Sequence, residues 1–512
     1  MAKSIMKDDV LNRVLSAAFT ICKWSASQIF LYFIMPYLWN YEYSLEAVVS
    51  ISLYTSLYVA YWKFCPKELR FKWVVWPYII YIIVSIALSY SVNAWKVSLW
   101  FSILLPLYGL ACSIGYRFLH RYIKGFFKTN KYGKTIVYSV AILFIVVLKF
   151  FSVFYVCQEH KSLQTETDDI LERKNYLVEK LVTSPQNVLA EMPSSIGEQF
   201  QGEWALYSCS MLSAALVNLS YLYPDTKKEN ILYIDSLINI VISKEIRHYD
   251  AMRWNEDALE SLRGDNSHVS YLSHLAWMIC GYKELGGSDK YDDLLSDLCE
   301  SMNRRILNSG NLNLPTYPGE AIYVPDMLVA IVALNKYADM NDNKYRSTVD
   351  KWIATAKEEW LDSTTGLLVS FLNENGEMYK NSPIKGSYSA LNCYYLTFID
   401  EEFAQSQYEK LKDLFWKDSF LSGLKEYWNR KCYMGIDIDA GPILFELSPS
   451  GTAFLTGSST FFGDFEVRKD ILKTAETAGH TVKFGDKRHY LLADIALVGE
   501  SIMLAMRTHA KH

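Results

Sequence analysis

YPGEAIYVPDMLVAIVALNKY, Tyr317–Tyr337, joins a polar loop to an apolar helix. The loop supplies two prolines, a glycine and two acids, Glu320 and Asp326. Pro325 and Asp326 fit a helix start, where free backbone N–H groups and the helix dipole favour an acid. The segment that follows, Met327–Tyr337, is apolar around most of its circumference, which predicts a buried helix rather than an amphipathic one. A polar loop delivered to the end of a buried helix is how a helical barrel builds a site.

The same pattern recurs through residues 201–512. Apolar, small-residue-rich helices are predicted at Ala205–Tyr221, Val269–Leu285, Met327–Tyr337, Tyr388–Phe398, Gly451–Phe462 and Leu491–Arg507. Between them lie amphipathic, charged helices at Lys227–Ser243, Tyr291–Leu307, Lys344–Leu361, Glu402–Trp416 and Glu466–Ala478. Strand signals are confined to Leu367–Leu372 and Ile443–Leu447. Six buried helices recurring every ~50–60 residues with amphipathic partners predict a closed toroid of helical hairpins, an (α/α)6 barrel. In such a barrel the loops before the inner helices gather at one end and wall a funnel. Those loops are Gly202–Trp204, Gly264–His268, Tyr317–Asp326, Pro383–Ser387, Asp437–Ser450 and Gly485–Tyr490.

Residues 1–156 follow a different rule. Ser44–Trp62, Phe71–Val92, Trp95–Tyr116 and Thr135–Val156 are each long and apolar enough to cross a bilayer, and Leu15–Leu38, which carries Lys23, makes a fifth span. Lys3, Lys7 and Arg13 precede the first. Lys63, Lys67, Arg70 and Lys72 follow the second, and Arg117, Arg121, Lys124, Lys128, Lys131 and Lys134 follow the fourth. Asn40–Glu46 holds no Lys or Arg, and Ser91–Lys96 only Lys96. This alternation predicts an N-terminus inside the cell and a C-terminal domain outside the cytoplasm of an integral membrane protein. The spans hold few ionisable residues, so an anchor is a better description than a transporter. Residues 157–200 read as a helical connector, polar and solvated. The chain is thus predicted to be all-α: about five transmembrane helices followed by the barrel.

Several function classes lack support. The net charge of −5 comes without a basic stripe, which argues against nucleic acid. The nine cysteines show no CxxC and no zinc-ligand spacing, so no metal site is assigned. P-loop, GxGxxG, HExxH and GxSxG motifs do not occur, and no cofactor is expected.

The funnel loops carry the candidate residues. Asp326, in a partly apolar funnel, suits a general acid or base, with Tyr317, Glu320 and Tyr323 beside it. Asp437 and Asp439 lie two apart in YMGIDIDAGPILFE, near Glu446. An extended chain would turn both carboxylates the same way, an arrangement suited to acid/base work such as glycoside cleavage. Glu203, Trp204 and Tyr207 open the first inner helix, and Tyr388 opens the fourth. Their polar-tipped aromatic groups suit a sugar or isoprenoid pocket. His274 is a single histidine in a buried helix. His268, six residues earlier, falls on a different face, so the two do not share a metal from that helix.

The order of these stretches resembles the linalool dehydratase/isomerase family, whose catalytic domain is an (α/α)6 barrel. The carrying segments are SYLSHLAWMICGYKELGGSDKY (Ser270–Tyr291), Tyr317–Tyr337, DIDAGPILFELSPSGTAFLTGSSTFFGD (Asp437–Asp464) and YLLADIALVGESIMLAMRT (Tyr490–Thr508). The resemblance covers roughly Gly202 to Arg507 and none of the spans. It implies that His274 faces the site. The family places two cysteines nine residues apart at the mouth of its third inner helix, where this chain has Tyr317 and Asp326. It therefore implies a shared barrel with a different reaction. The expectation is cofactor-free lyase or isomerase chemistry on a small alcohol or lipid-like molecule, with Asp326 as acid/base, His274 and Tyr317 assisting, and Asp437 or Asp439 on the hydroxyl. The alternatives are a glycan-active hydrolase, lyase or epimerase and a non-catalytic tethered binding module. A homo-oligomer is compatible with any of them.

Overall fold

The computed structural model describes residue 163 and residues 165–511, apart from 194–196, 381, 420, 432, 438 and 495. The five predicted spans lie outside the described residues. Within the described chain the structure is mostly helical, with a few strands of two to four residues.

Six helices pack in a cycle. They are α3 (Glu198–Leu222), α6 (Val269–Glu284), α8 (Val324–Met340), α10 (Gly386–Leu396), α12 (Pro449–Phe461) and α14 (Leu497–Arg507). Each packs on the next and α14 returns to α3. They correspond to the apolar segments of the sequence, and α6, α8 and α10 are buried almost end to end. Around them lie α4 (Lys227–Ile242), α7 (Asp292–Asn308), α9 (Arg346–Glu359), α11 (Glu401–Phe415) and α13 (Phe465–Gly479), each packed against the inner helix it follows. α3 is long and apolar enough to cross a membrane, but most of it is buried in this cycle. A core helix explains its composition fully.

The connector departs from the sequence reading. α1 (Thr167–Leu181) is not solvated: it packs on α14 and α3 and takes the outer place beside α14. Ile170, Leu177 and Leu181 are buried, and so are Asp169, Arg173 and Lys174. The charges are satisfied by distant partners. Arg173 Nη1 lies 2.6 Å from Glu500, and Arg507 Nη2 lies 2.6 Å from Asp169 and 2.9 Å from Glu166. Arg468 also pairs with Glu166. A short helix, α2 (Pro185–Ala190), capped by Ser184, follows.

α5 (Lys244–Trp254) is a second element that periodicity alone does not reveal. Ser243 caps it, Asn255 ends it in a left-handed conformation, and it lies on α3 and α4. Gly202 permits the approach, because a Cβ there would meet Tyr249 Cβ at 2.6 Å. The last predicted helix, Leu491–Arg507, also divides, into a 3-10 turn at Leu491–Asp494 and α14. Tyr490 N–H donates to Glu500 and Leu491 N–H to His480 O, which draws this segment away from the helix.

Short antiparallel pairs brace the loops ahead of the inner helices. β1 (Ile322–Tyr323) pairs with β2 (Phe371–Leu372), and β3 (Trp416–Lys417) with β4 (Gly423–Leu424). β5 (Gly435–Asp437) pairs with β6 (Gly441–Ile443) through Gly435↔Ile443 and Asp437↔Gly441.

Candidate active site

The inner helices begin with the polar residues that matter. Asp326 lies in the first turn of α8, following Pro325. Its carboxylate does not cap the helix but accepts the Thr316 hydroxyl at 2.7 Å. On α3, Glu203 and Tyr207 are one turn apart on the same face. On α6, Ser270 and His274 repeat that spacing, and on α10 Tyr388 is followed two turns on by Tyr395.

Three carboxylates from different parts of the chain converge. Glu203 feels the charges of Asp326 and Asp439, and Asp326 that of Asp439. Burial first, then these like charges, push Glu203 up to about 8, against the lowering effects of a hydrogen bond from Tyr317 and the nearby Arg253. Burial pushes Asp326 up to about 6, with Thr316 opposing and Asp439 and Glu320 adding. Asp439 retains solvent contact and is also raised, mainly by desolvation, while accepting the Tyr388 hydroxyl at 2.6 Å. Glu203 therefore keeps its proton to a higher pH than Asp326. Two acids driven to different ionisation states are the arrangement acid/base chemistry uses.

Tyrosines line the cluster. The Tyr317 hydroxyl lies 3.4 Å from Ser270 Oγ, which lies 3.3 Å from Tyr249, and the Arg253 guanidinium stacks 3.9 Å above the Tyr317 ring. Arg253 also approaches Glu320 at 3.3 Å. Tyr207 and Tyr395 share a hydrogen bond of 3.2 Å. Tyr323, Phe371 and Tyr388 meet edge to face at centroid separations of 4.9–6.1 Å. Trp204 is partly buried against the core.

His274 sits behind this wall. Its ring lies 4.8 Å from that of Tyr207, and Nδ1 is 2.8 Å from Ser210 Oγ. Burial alone pulls it down to about 3, so the imidazole is neutral at physiological pH. It supports Tyr207 rather than joining the carboxylates. Because the folded form resists protonation and the unfolded chain does not, His274 costs stability as pH falls from the ordinary histidine range toward 3. Replacing His274 with glutamine is expected to flatten the acid side of the stability curve between pH 6 and 4, with a slope change up to about 1.4 kcal/mol per pH unit, checked by urea unfolding at stepped pH.

Asp437 and Asp439 do not face the same way. β5 ends at Asp437 and the chain turns, so the alternation of an extended strand stops there. Asp437 Oδ1 accepts the N–H groups of Asp439 and Ala440, and Oδ2 takes Lys385 Nζ at 2.7 Å. Although burial opposes it, these bonds hold its pKa below the usual carboxylate value. Asp437 shapes the turn that presents Asp439. Glu446 pairs with Lys417 at 3.4 Å and belongs to the outer end of the hairpin.

Sequence reasoning misses Glu426. Fully buried, it accepts Ser387 N–H at 3.2 Å and Ser387 Oγ at 2.9 Å, and burial raises its pKa. It fixes the start of α10 and hence Tyr388. Gly386 donates to Glu426 O, and a Cβ there would meet Lys425 O at 2.0 Å. No motif announces Glu426, a lone acid in a loop. Lys385 and Thr316 are likewise unmarked, except that they neighbour named residues.

Among the described residues, no group of three His, Cys, Asp or Glu is placed to hold a metal ion. What fold and site define together is a mostly helical domain with a tyrosine-lined cluster of three carboxylates, two near the starts of inner helices and Asp439 in the β5–β6 turn. No protein-family model matches the chain, and no curated protein matches it.

Proposed function

We propose that the chain is a membrane-anchored enzyme with about five spans, whose extracytoplasmic (α/α)6 barrel, similar to the linalool dehydratase/isomerases, carries out acid/base lyase or isomerase chemistry on a small, uncharged alcohol. The observation that carries this reading is the convergence of Glu203, Asp326 and Asp439 in one half-buried, tyrosine-lined cluster, where desolvation and like charge drive the first two to different acidities. Glu203 gives its proton to the substrate hydroxyl, which leaves as water. Asp326 takes a proton from the adjacent carbon, and a double bond forms. One proton leaves Glu203 and one arrives at Asp326, so exchange between them resets the site. Tyr388 and Asp439 hold the hydroxyl, and the tyrosine faces favour positive charge developing on carbon. The acidic lining disfavours phosphorylated or carboxylated substrates. Tyr317 and Asp326 stand in place of the two cysteines of the resembling family, so protonation at oxygen replaces thiol chemistry.

Turnover should follow a bell in pH. The base Asp326 must be ionised, so activity rises through about 6. The acid Glu203 must be protonated, so activity falls above about 8. Initial rates on terpene alcohols from pH 4 to 10 check this; a flat profile removes the acid/base assignment.

A glycan-active reading has one observation in its favour, the aromatic group Tyr323, Phe371 and Tyr388 beside paired carboxyls. Thermal protection of the purified protein by oligosaccharides and not by terpene alcohols would select it.

A further inference from the structure

The β5–β6 hairpin has an outer end that the site does not use. Beyond Gly435↔Ile443 the two strands run on into Met434 and Leu444, and Phe445 follows. These three side chains are 62%, 50% and 63% exposed. Leu444 and Leu447 exchange N–H···O bonds of 3.3 and 2.9 Å, so Phe445 and Glu446 are the central residues of a two-residue turn. Their φ values are +52° and +75°. Turns of this form normally take Asn, Asp or Gly, because a Cβ is strained there. A phenylalanine in that place is held outward at a steric cost, and such strain tends to gather at sites of function. Lys417 Nζ fixes the turn by donating to Phe445 O at 2.9 Å.

The surroundings are amphipathic and cationic. The Arg430 guanidinium lies 3.9 Å above the Tyr427 ring and 5.2 Å from that of Tyr433, with the two rings 5.1 Å apart. Arg430 and Lys431 are exposed. The nearby acid, Glu446, is paired with Lys417. Three apolar side chains collared by tyrosines and cations have the composition of a segment that lies in a lipid headgroup layer. As a protein-docking surface, three apolar side chains are few beside the ~20–30 residues per partner of a stable interface.

We infer that this turn docks on an anionic lipid surface, with Phe445, Leu444 and Met434 at the headgroup–acyl boundary and Arg430 and Lys431 on lipid phosphates. The other end of the same hairpin carries Asp437 and Asp439, three residues or roughly 10 Å away. A substrate dissolved in the bilayer would thus be handed to the mouth of the site from its own solvent. The inference rests on the membrane-anchored reading.

The test uses the full chain in vesicles of phosphatidylcholine with and without phosphatidylglycerol. A fluorescent amino acid is incorporated at Phe445 or, as control, at Leu232, which is 67% exposed on α4. The expected result is several-fold stronger quenching of the 445 probe than of the 232 probe by nitroxide-labelled lipid, and several-fold weaker quenching by aqueous iodide. The double variant Arg430→Ala/Lys431→Ala should lose most of the lipid quenching that phosphatidylglycerol adds. Equal iodide access at the two positions would overturn the inference. So would protection from iodide without lipid quenching, which would indicate a second copy of the chain or another protein. Flotation reads the anchor separately: a chain that floats but shows no lipid quenching sinks the docking alone, and a chain that does not float sinks both.

Discussion

Asp326→Asn and Glu203→Gln are each expected to lower turnover by about 10²–10⁴-fold, the range that a positioned acid or base contributes. The two losses should differ in kind. Asp326→Asn removes the base, so the residual rate no longer rises through pH 6. Glu203→Gln removes the acid, so the fall above pH 8 disappears. The pair should also be non-additive, because the groups act on one substrate in one step. Stability supplies an independent readout. Glu203 ionises with difficulty in the folded state and freely in the unfolded chain, so folding loses stability as pH climbs from the ordinary glutamate range through about 8. Glu203→Gln should therefore unfold at a higher temperature than the parent at pH 9 and at nearly the same temperature at pH 4. Product analysis of terpene alcohols by gas chromatography, paired with melting curves, separates the roles. Full turnover in both variants would remove the proposed chemistry, whatever the melting curves show.

The largest effect on stability is expected at Glu166. It is fully buried and binds both Arg468 and Arg507, with Nη2 of Arg468 at 2.7 Å and Nη2 of Arg507 at 2.9 Å. Removing its charge leaves Arg468 buried without a carboxylate, while Arg507 keeps Asp169 at 2.6 Å, and breaking a buried pair of this kind costs about 3–5 kcal/mol. Glu166→Gln in the detergent-solubilised full chain should lower the urea midpoint accordingly. Glu191→Gln, which breaks a half-exposed pair with Lys180 at 3.0 Å, should cost less than about 1 kcal/mol. Equal shifts in the two variants would mean that α1 contributes little to the domain.

How legible the chain is depends on what each helix buries. Met327–Tyr337 declares itself because it is apolar around most of its circumference, and most of the other ring helices do the same, whereas α14 begins six residues later than its apolar stretch. α1 is legible as a helix but not as a buried one, because Asp169, Arg173 and Lys174 share its buried face with Ile170, Leu177 and Leu181 and make it read as solvated. α5 hides for a related reason, since Arg247, Tyr249 and Asp250 are among its buried residues. In the site, Asp326 is readable from its place after Pro325. The convergence of Glu203 with Asp439 is not, because it depends on how helices far apart in sequence close their ring. Asp437 illustrates a rule applied one residue too far: strand alternation ends where β5 ends.

The union of Glu166 with Arg507 spans 341 residues. During synthesis, the first outer helix leaves the ribosome long before the arginine that neutralises it. Until then, three charged groups destined for the interior (Glu166, Asp169 and Arg173) must stay in water, and the α14–α3 seam stays open. Long-range closure of this kind is slow, and the open intermediate exposes apolar surface. The nascent domain is thus a candidate client for chaperones, and a deletion of the last few residues should leave an unfinished ring rather than a slightly shorter one.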